Sequence, residues 1–301
     1  MDIPVSIRRA KPLLGTFVEI TANGGSRCDP EKAIDSAFEA IADVHRLMSF
    51  HEQESDVSRL NRDAWRQSIP VSPWTFRVLE SATEMNCRSG GLFDIAVGRA
   101  LQRKGLLCGT SPLATFRSRL TDELIKLLPN HRVRFLDSNV SIDLGGIAKG
   151  FAVDRAVDAL RNNGIDSGVV NAGGDLTAFG DTPHTIYIRH PRCPEQLLFC
   201  MEITNQSLAS TGGQFDPLYA SKPTDTTVID PVTQEPAHRI CGATVRAPSC
   251  MIADALTKLV MIEIEQSSEL LQRYCASALA VLRSGDVWLT SDWQNTVGSA
   301  A

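Results

Sequence analysis

The chain has 301 residues, of which 43% are hydrophobic and 22% are charged, and its formal net charge is −5. This length allows one large domain or two modest ones with an ample core. The acidic balance argues against a general nucleic-acid binder, which needs a basic face to neutralise phosphates.

The first strand and three helices are predicted in the first ninety residues. Residues 13–21 have the composition of a strand. Each helix is expected to begin at a capping residue, and the second helix has two candidate caps. The caps are Asp29 followed by Pro30, Ser55 or Asp56, and Ser72 followed by Pro73.

A strand, a glycine turn and a helix follow in the middle of the chain. Residues 140–144 alternate apolar and polar side chains and are predicted to pair with residues 133–135 in a hairpin. Gly145 and Gly146 end this strand, and a helical pattern begins at Ile147.

This strand–turn–helix segment is a candidate phosphate site. Free backbone N–H groups and the positive end of the helix dipole face an anion there, and Lys149 lies in the first turn. Asp143 is placed to hydrogen-bond a ligand or to face a metal ion. A plain glycine turn is the alternative, because neither a P-loop nor a G-x-G-x-x-G fingerprint is present.

The rest of the chain is predicted to be rich in short strands. They cover residues 168–176, 184–189, 197–203, 242–246, 278–282 and 287–289, with a strand also ending at 228–231. Helices are expected from Ser249 and over residues 267–276, a turn at 208–213, and loops at 105–130 and 213–227. This irregular order predicts an α+β fold with mixed or antiparallel sheets and packed helices.

The first residues, the apolar stretches and the cysteines of the chain indicate its cellular location and the redox state of its thiols. The first nine residues hold no signal-peptide core and no cysteine for lipid attachment, and the longest apolar stretches, such as 251–264, are interrupted by charges. We therefore expect no transmembrane segment and a cytoplasmic protein as written, or a periplasmic one if a leader was removed. The eight cysteines are scattered without a C-x-x-C motif, which predicts reduced, mostly buried thiols.

Acidic residues beside glycines or at the ends of elements are candidates for chemistry. They are Asp94, Asp143, Asp175, Asp230 and Asp254. Hard divalent cations prefer oxygen ligands, and Asp254 and Thr257 lie at i and i+3, so that a carboxylate and a hydroxyl can face one ion. A solvated helix face is the alternative. The six histidines show no zinc-binding spacing.

Eight short segments in a fixed order carry a resemblance that covers nearly the whole chain. They are Leu14-Gly15-Thr16; Met48-Ser49 with Ser55 and Arg59-Leu60-Asn61; Gly91-Leu92-Phe93-Asp94 with Val97-Gly98; Asp143-Leu144-Gly145-Gly146-Ile147-Ala148-Lys149-Gly150; Asn171-Ala172-Gly173-Gly174-Asp175; Ser210-Thr211-Gly212; Ile229-Asp230-Pro231 with Pro236; and Ala253-Asp254-Ala255-Leu256-Thr257. In these segments the chain resembles the FAD:protein FMN transferases, the ApbE-like flavin transferases.

The resemblance implies one domain over residues 1–301, with or without two subdomains flanking an FAD cleft, in an ApbE-like, T-fold-related architecture. It implies transfer of FMN from FAD to a threonine or serine hydroxyl of an acceptor flavoprotein, with Mg²⁺ at the pyrophosphate and AMP released. The residues implied to line the FAD site are Leu14, His51, Leu92, Phe93, Asp94, Asp143, Lys149 and Ile229. The implied metal ligands are the Gly146 carbonyl, Asp254 and Thr257. Asp254 or Asp143 would accept the hydroxyl proton.

Three positions depart from the family's pattern. Lys258 stands where a hydroxyl residue beside the metal is common, so a second ion is either replaced by the ammonium or absent. Thr227 stands where a histidine is usual, and His51 where an aromatic residue is common. Two alternatives to the transferase therefore stay open: an FAD pyrophosphatase that gives FMN and AMP, and a non-catalytic FAD-binding or carrier protein.

Overall fold

The computed structural model describes residues 5–24, 29–109, 121–212 and 226–294. The helices in these ranges are α1 Pro30–Met48, α2 Asp56–Asp63, α3 Pro73–Arg88, α4 Gly98–Arg103, α5 Thr121–Leu124, α6 Ala148–Asn162, α7 Cys250–Ile262, α8 Ile264–Arg273 and α9 Ser291–Gln294. The strands are β1 Val5–Leu13, β2 Thr16–Gly24, β3 Ile69–Pro70, β4 Ile125–Leu128, β5 Arg132–Phe135, β6 Ser167–Ala172, β7 Asp175–Phe179, β8 His184–Arg189, β9 Leu197–Ile203, β10 Gln206–Gly212, β11 Ile240–Ala247, β12 Ser277–Leu282 and β13 Val287–Leu289. None of the described helices has the length and hydropathy needed to cross a membrane.

Antiparallel pairing builds the central sheet, whose eight strands follow the order β1-β2-β6-β7-β10-β11-β12-β13. The strands β3, β5 and β4 form a small second sheet, and β8 and β9 form a separate hairpin. Antiparallel sheets combined with packed helices confirm the α+β prediction.

The central sheet separates two apolar cores. In β12, Ala278 and Ala280 belong to the core under the helices, whereas Leu279 and Val281 belong to the core under the β8–β9 hairpin and Trp293. This alternation is the period of two that a strand shows when both of its faces are buried. On the helical side, α6 contacts both α1 and α7, and α7 packs on β10 and β11.

The predicted helix caps are confirmed where the side chain accepts a backbone hydrogen bond. Asp29 caps α1, Ser55 caps α2 and Ser72 caps α3, each accepting from an amide in the first turn of its helix. Ser249 precedes α7 as predicted, but its hydroxyl donates to Asp154 at 2.8 Å. Each cap supplies an oxygen to an amide that otherwise has no partner within the helix.

The first predicted strand is wrong in its extent. Residues 13–21 contain the turn of the β1–β2 hairpin, in which Leu13 pairs with Thr16. The φ angles of Leu14 and Gly15 in this turn are +55° and +70°. A tight two-residue hairpin turn requires two residues in the left-handed conformation. Because leucine rarely adopts that conformation, the sequence did not indicate a turn here.

Three further strand assignments change. Residues 168–176 form the β6–β7 hairpin, with a turn at Gly173 and Gly174, rather than one strand. Residues 208–212 are not a turn but part of β10. The predicted strand end at 228–231 is only an isolated bridge between Ile229 and Pro236.

The predicted hairpin between residues 133–135 and 140–144 is wrong, because β5 pairs with β3 and β4 instead. Residues 140–144 belong to none of the described strands or sheets. The Asn61 carboxamide takes the place of a neighbouring strand: Nδ2 donates to the Ile142 carbonyl at 2.9 Å, and Oδ1 accepts from the Ile142 amide at 2.8 Å. The loop at 95–98 makes two further backbone hydrogen bonds on the other side.

The long predicted loops fall partly outside the described residues, which leave out 110–120 and 213–225. The described part of 105–130 departs from the prediction, because it contains α5 and β4.

The prediction of mostly buried thiols is wrong. Cys250 is buried, but Cys87, Cys108 and Cys275 are exposed, and every cysteine in the described ranges is free. Cys28 lies outside those ranges.

Candidate functional site

A cavity of about 590 Å³ lies beside the N-terminus of α6. Small-molecule sites typically span roughly 300–1,000 Å³. Nine of the eleven predicted site residues line this cavity: Leu14, His51, Leu92, Phe93, Asp94, Asp143, Gly146, Lys149 and Ile229. The other two, Asp254 and Thr257, are fully buried and contact Lys258, which does line the cavity.

The glycine turn and the first turn of α6 form one wall. Gly145, Gly146 and Lys149 all line the cavity there. No side chain caps the helix at Ile147, and the Gly150 amide donates to Asp254 Oδ2 at 3.1 Å. The positive end of the helix dipole therefore lies at the cavity, where it favours an anionic ligand.

Lys149 forms an ion pair with a buried carboxylate, since its Nζ lies 2.8 Å from Asp175 Oδ2. Neither oxygen of Asp175 accepts a further hydrogen bond from the described residues. Burial raises the pKa of Asp175, and the nearby Asp254 carboxylate adds to that rise. Burial alone would lower the pKa of Lys149, but its attraction to Asp175 and Asp254 outweighs burial and raises it. Lys149 is therefore a permanent cation in this site.

Lys258 contacts two of the predicted metal ligands, Asp254 and Thr257. Its Nζ is 2.5 Å from Asp254 Oδ1 and 3.2 Å from the Asp254 carbonyl oxygen. Thr211 Oγ1 and Thr257 Oγ1 lie 2.9 Å and 3.0 Å from the same Nζ. The stem of Lys258 passes beside Gly146, where an added Cβ would lie 3.3 Å from Lys258 Cγ. Two of the three predicted ligands, Asp254 and Thr257, thus bind the ammonium group of Lys258, and Gly146 lies beside its stem.

A divalent ion does not fit among these oxygens while they bind the Lys258 ammonium. Asp254 accepts from Lys258 with one oxygen and from Gly150 with the other, so its carboxylate is already satisfied. The residues described contain no cluster of three or more His, Cys, Asp or Glu side chains suited to a metal ion. Mg²⁺ would have to displace a charged group of its own sign that is already paired.

The same contacts disfavour Asp254 as a general base. Burial alone would raise the pKa of Asp254, but Lys258 and Lys149 outweigh burial and lower it. The side chain is fully buried, and a general base must reach the proton that it accepts.

Asp143 is the better placed of the two predicted bases. It lines the cavity, and its Oδ2 accepts from the Gly145 amide at 3.0 Å. Burial raises the pKa of Asp143, although the Gly145 hydrogen bond and the charge of His51 act in the opposite direction. A carboxyl group of raised pKa that reaches the ligand space is suited to proton transfer.

Asp94 is fixed at the cavity wall by local contacts. Its Oδ1 accepts from the Ala96 amide at 2.7 Å and from the Thr121 hydroxyl. Burial raises the pKa of Asp94 against the effect of both hydrogen bonds.

Apolar and aromatic side chains form another part of the wall. The backbone around Phe93 is held by the Asn86 amide group, which donates to its carbonyl at 2.7 Å, and by Ser89 Oγ, which accepts from its N–H at 3.0 Å. His51 is exposed and lies edge-on to Phe50, with ring centroids 6.2 Å apart. These surfaces are suited to an aromatic ring system.

Sequence reasoning missed Thr211 as a site residue, and it named Asp175 as a candidate acid without predicting its pairing with Lys149. Thr211 Oγ1 accepts from Lys258 Nζ at 2.9 Å, at a position of β10 beyond residues 206–208, where β10 pairs with β7. The pairing of Asp175 with Lys149 depends on the β6–β7 turn, which was not predicted. Asp230, one of the candidate acids, does not line the cavity; it caps its own loop by accepting from backbone amides.

A second cavity of about 630 Å³ lies between the central sheet and the β8–β9 hairpin. It shares Gly173, Ser210 and Thr211 with the first cavity. A second molecule in this space would therefore approach a ligand of the first cavity beside Lys258.

Comparisons with known proteins agree on one family. The model of the ApbE family matches residues 14–282. A relative from Chlamydia muridarum, named FAD:protein FMN transferase, is 29% identical over 240 residues, which cover 75% of this chain and 73% of the relative. The solved structure of the flavin transferase ApbE from Vibrio cholerae has a TM-score of 0.83 at 22% identity, covering 98% of this chain and 100% of that one. An ApbE protein from Thermotoga maritima gives a TM-score of 0.85 at 23% identity, with coverages of 98% and 100%. These two structures confirm the predicted fold.

Proposed function

Because the chain belongs to the ApbE family, we propose that it is an FAD:protein FMN transferase that moves FMN from FAD to a threonine or serine hydroxyl of an acceptor flavoprotein and releases AMP. The relatives that carry this name support the reaction class.

One observation carries the proposal: a dinucleotide-sized cavity brings two lysines and a helix N-terminus together with an apolar wall. Lys149 and Lys258 lie at the glycine turn and supply positive charge to the diphosphate of FAD. Lysine binds phosphate as a compact point charge, and the N-terminus of α6 adds its dipole. Phe93, His51 and Ile229 offer surface to the ring systems at either end.

The transfer exchanges one phosphorus–oxygen bond for another. The acceptor hydroxyl oxygen forms a bond to the FMN phosphorus, and the bond from that phosphorus to the bridging oxygen breaks. AMP leaves with the bridging oxygen, and the hydroxyl proton passes to Asp143. The two lysines offset the charge that develops on the departing AMP, and the second cavity admits the acceptor segment.

Magnesium stays a prediction from the resemblance. Of its predicted ligands, Asp254 and Thr257 bind the Lys258 ammonium and Gly146 lies beside the Lys258 stem, and these donors do not fit a divalent ion in addition to that ammonium. No step of the proposed reaction therefore depends on a metal ion.

The test is to incubate the protein with FAD and a purified candidate flavoprotein acceptor, once with Mg²⁺ and once with EDTA, and to measure AMP and covalently bound flavin. Covalent FMN on a threonine or serine with an equal amount of AMP is the expected result. Lys149→Met should abolish AMP release, whereas Lys32→Met, at an exposed position of α1, should leave it unchanged.

Two results would replace the transferase by one of its alternatives. Free FMN and AMP without protein-bound flavin would indicate an FAD pyrophosphatase, in which water attacks instead of the acceptor hydroxyl. Tightly bound but intact FAD would indicate a carrier.

A further inference from the structure

We propose that the Lys258 ammonium is the resident cation of this site and takes the place of a divalent metal ion at the diphosphate. The role in catalysis rests on the proposed function, but the cation preference of the site can be tested without it.

The oxygens around Lys258 Nζ form a cation site. A carboxylate oxygen and a carbonyl oxygen come from Asp254, and hydroxyl oxygens come from Thr257 and Thr211, all within 3.2 Å of Nζ. Carboxylate, carbonyl and hydroxyl oxygens are the donors that hard divalent ions take in proteins. In this chain a lysine four residues after Asp254 brings its own cation to the same oxygens.

The buried charges balance without a metal ion. Asp175 and Asp254 contribute two negative charges, and Lys149 and Lys258 contribute two positive charges, paired by contacts of 2.8 Å and 2.5 Å. Without a bound ligand, a divalent ion would add two uncompensated positive charges to this buried region, which is costly. Before FAD binds, the charge balance therefore favours the ammonium over Mg²⁺.

Lys258 is also placed to act on a ligand. Asp254 and Thr257 are fully buried, whereas the Lys258 side chain is 16% exposed and lines the cavity. An anchored ammonium that faces the diphosphate can neutralise it as a metal ion would, and needs no reorganisation to do so. A lysine that only neutralised Asp254 would not have to reach the cavity.

The first test measures cation binding directly. We expect the wild-type protein to bind no Mn²⁺, by electron paramagnetic resonance of free Mn²⁺, and to keep its Tm when Mn²⁺ is added. Lys258→Ser frees Asp254 Oδ1 and supplies a hydroxyl, so it should bind one Mn²⁺ and gain Tm in its presence. Lys258→Met removes the charge without adding an oxygen and should do neither. Lys32→Ser, on the exposed surface of α1, is the matched control and should behave as the wild type.

The second test measures transfer. The wild type should form covalent flavin equally well in EDTA and in Mg²⁺. Lys258→Ser should lose about 100-fold in rate in EDTA and recover with Mg²⁺ or Mn²⁺, whereas Lys258→Met should not recover.

Two results would overturn the proposal: one Mn²⁺ bound to the wild type together with loss of its transfer in EDTA, or no Mn²⁺ bound to a folded Lys258→Ser. The wild-type measurements decide the matter even if a variant does not fold. If no protein transfers flavin under any condition, the proposed function fails, while the Mn²⁺ measurements still test the identity of the cation.

Discussion

The Gly150 amide, in the first turn of α6, donates a hydrogen bond to Asp254 Oδ2 on α7 at 3.1 Å. A matching contact runs in the other direction between the same two helices. The Asp154 carboxylate of α6 accepts hydrogen bonds from the amides of Cys250 and Met251 at the start of α7. Each helix thus supplies a carboxylate to the N-terminus of the other. This reciprocal capping fixes how α6 and α7 cross, and so how Lys149 and Lys258 are placed at the cavity.

Gly150→Ala should weaken this crossing. A Cβ atom at residue 150 would lie 2.2 Å from the Cys250 carbonyl oxygen, so the backbone of one helix must move. We expect a loss of about 1–3 kcal/mol in the free energy of unfolding, as for overpacked cores, measured by denaturant titration. Asn162→Ala, at an exposed position of the same helix, is the control and should stay within about 0.5 kcal/mol of the wild type. Equal stability of Gly150→Ala and the wild type would show that the helices are not held this closely.

The sequence predicted the helices better than the strands, for a local reason. A capping residue such as Asp29 or Ser72 lies next to the helix that it starts, so the signal is within a few residues. The turn at Leu14 needs a left-handed leucine, which no local preference favours. Residues 140–144 look like a strand, but their partner is the side chain of Asn61, which lies far away in the sequence.

Nine of the residues predicted from the family resemblance line one cavity. The contacts that pair the charged residues of the site were not predicted. The spacing of Asp254 and Lys258 is i and i+4, the spacing of a helical ion pair, so this contact could have been read from the sequence. The approach of Thr211 to Lys258 could not, because it depends on the packing of α7 on β10, two elements far apart in the sequence.

Asn61→Ala should loosen the segment that carries Asp143. The two hydrogen bonds of the Asn61 carboxamide satisfy both backbone groups of Ile142, which is fully buried. Leaving them unpaired should cost about 1–3 kcal/mol in the free energy of unfolding. We also expect weaker FAD binding, measured by quenching of flavin fluorescence. Asn61→Asp keeps the acceptor but not the donor, so its free energy of unfolding should lie between those of the wild type and Asn61→Ala. An Asn61→Ala variant as stable as the wild type would contradict this role of Asn61.

His51→Ala should weaken FAD binding without affecting the fold. His51 is exposed and lines the cavity, so its ring can stack on the flavin or the adenine. Stacking of a base on an aromatic side chain contributes about 1–3 kcal/mol, and we expect Kd to rise about tenfold. His51→Phe should restore binding because it keeps an aromatic face. His238→Ala, at an exposed position outside the cavity lining, is the control and should leave the Kd for FAD unchanged. If His51→Ala also leaves Kd unchanged, neither the flavin nor the adenine stacks on His51.

Asp94 should make the stability depend on pH in a direction opposite to that of most carboxylates. Burial raises its pKa above 3.8, so the folded protein keeps the Asp94 proton at a pH where the unfolded chain has lost it. The folded state then binds more protons than the unfolded state, and its stability falls as pH rises through this window. Asp94→Asn keeps the oxygen that accepts from Ala96 and Thr121 but cannot ionise. We therefore expect the free energy of unfolding of the wild type, relative to Asp94→Asn, to fall as the pH rises above about 4, with a slope of at most about 1.4 kcal/mol per pH unit. Denaturant titrations of both proteins across this range provide the measurement. If the difference in free energy of unfolding between the two proteins stays constant or grows with pH, the folded state does not raise the pKa of Asp94.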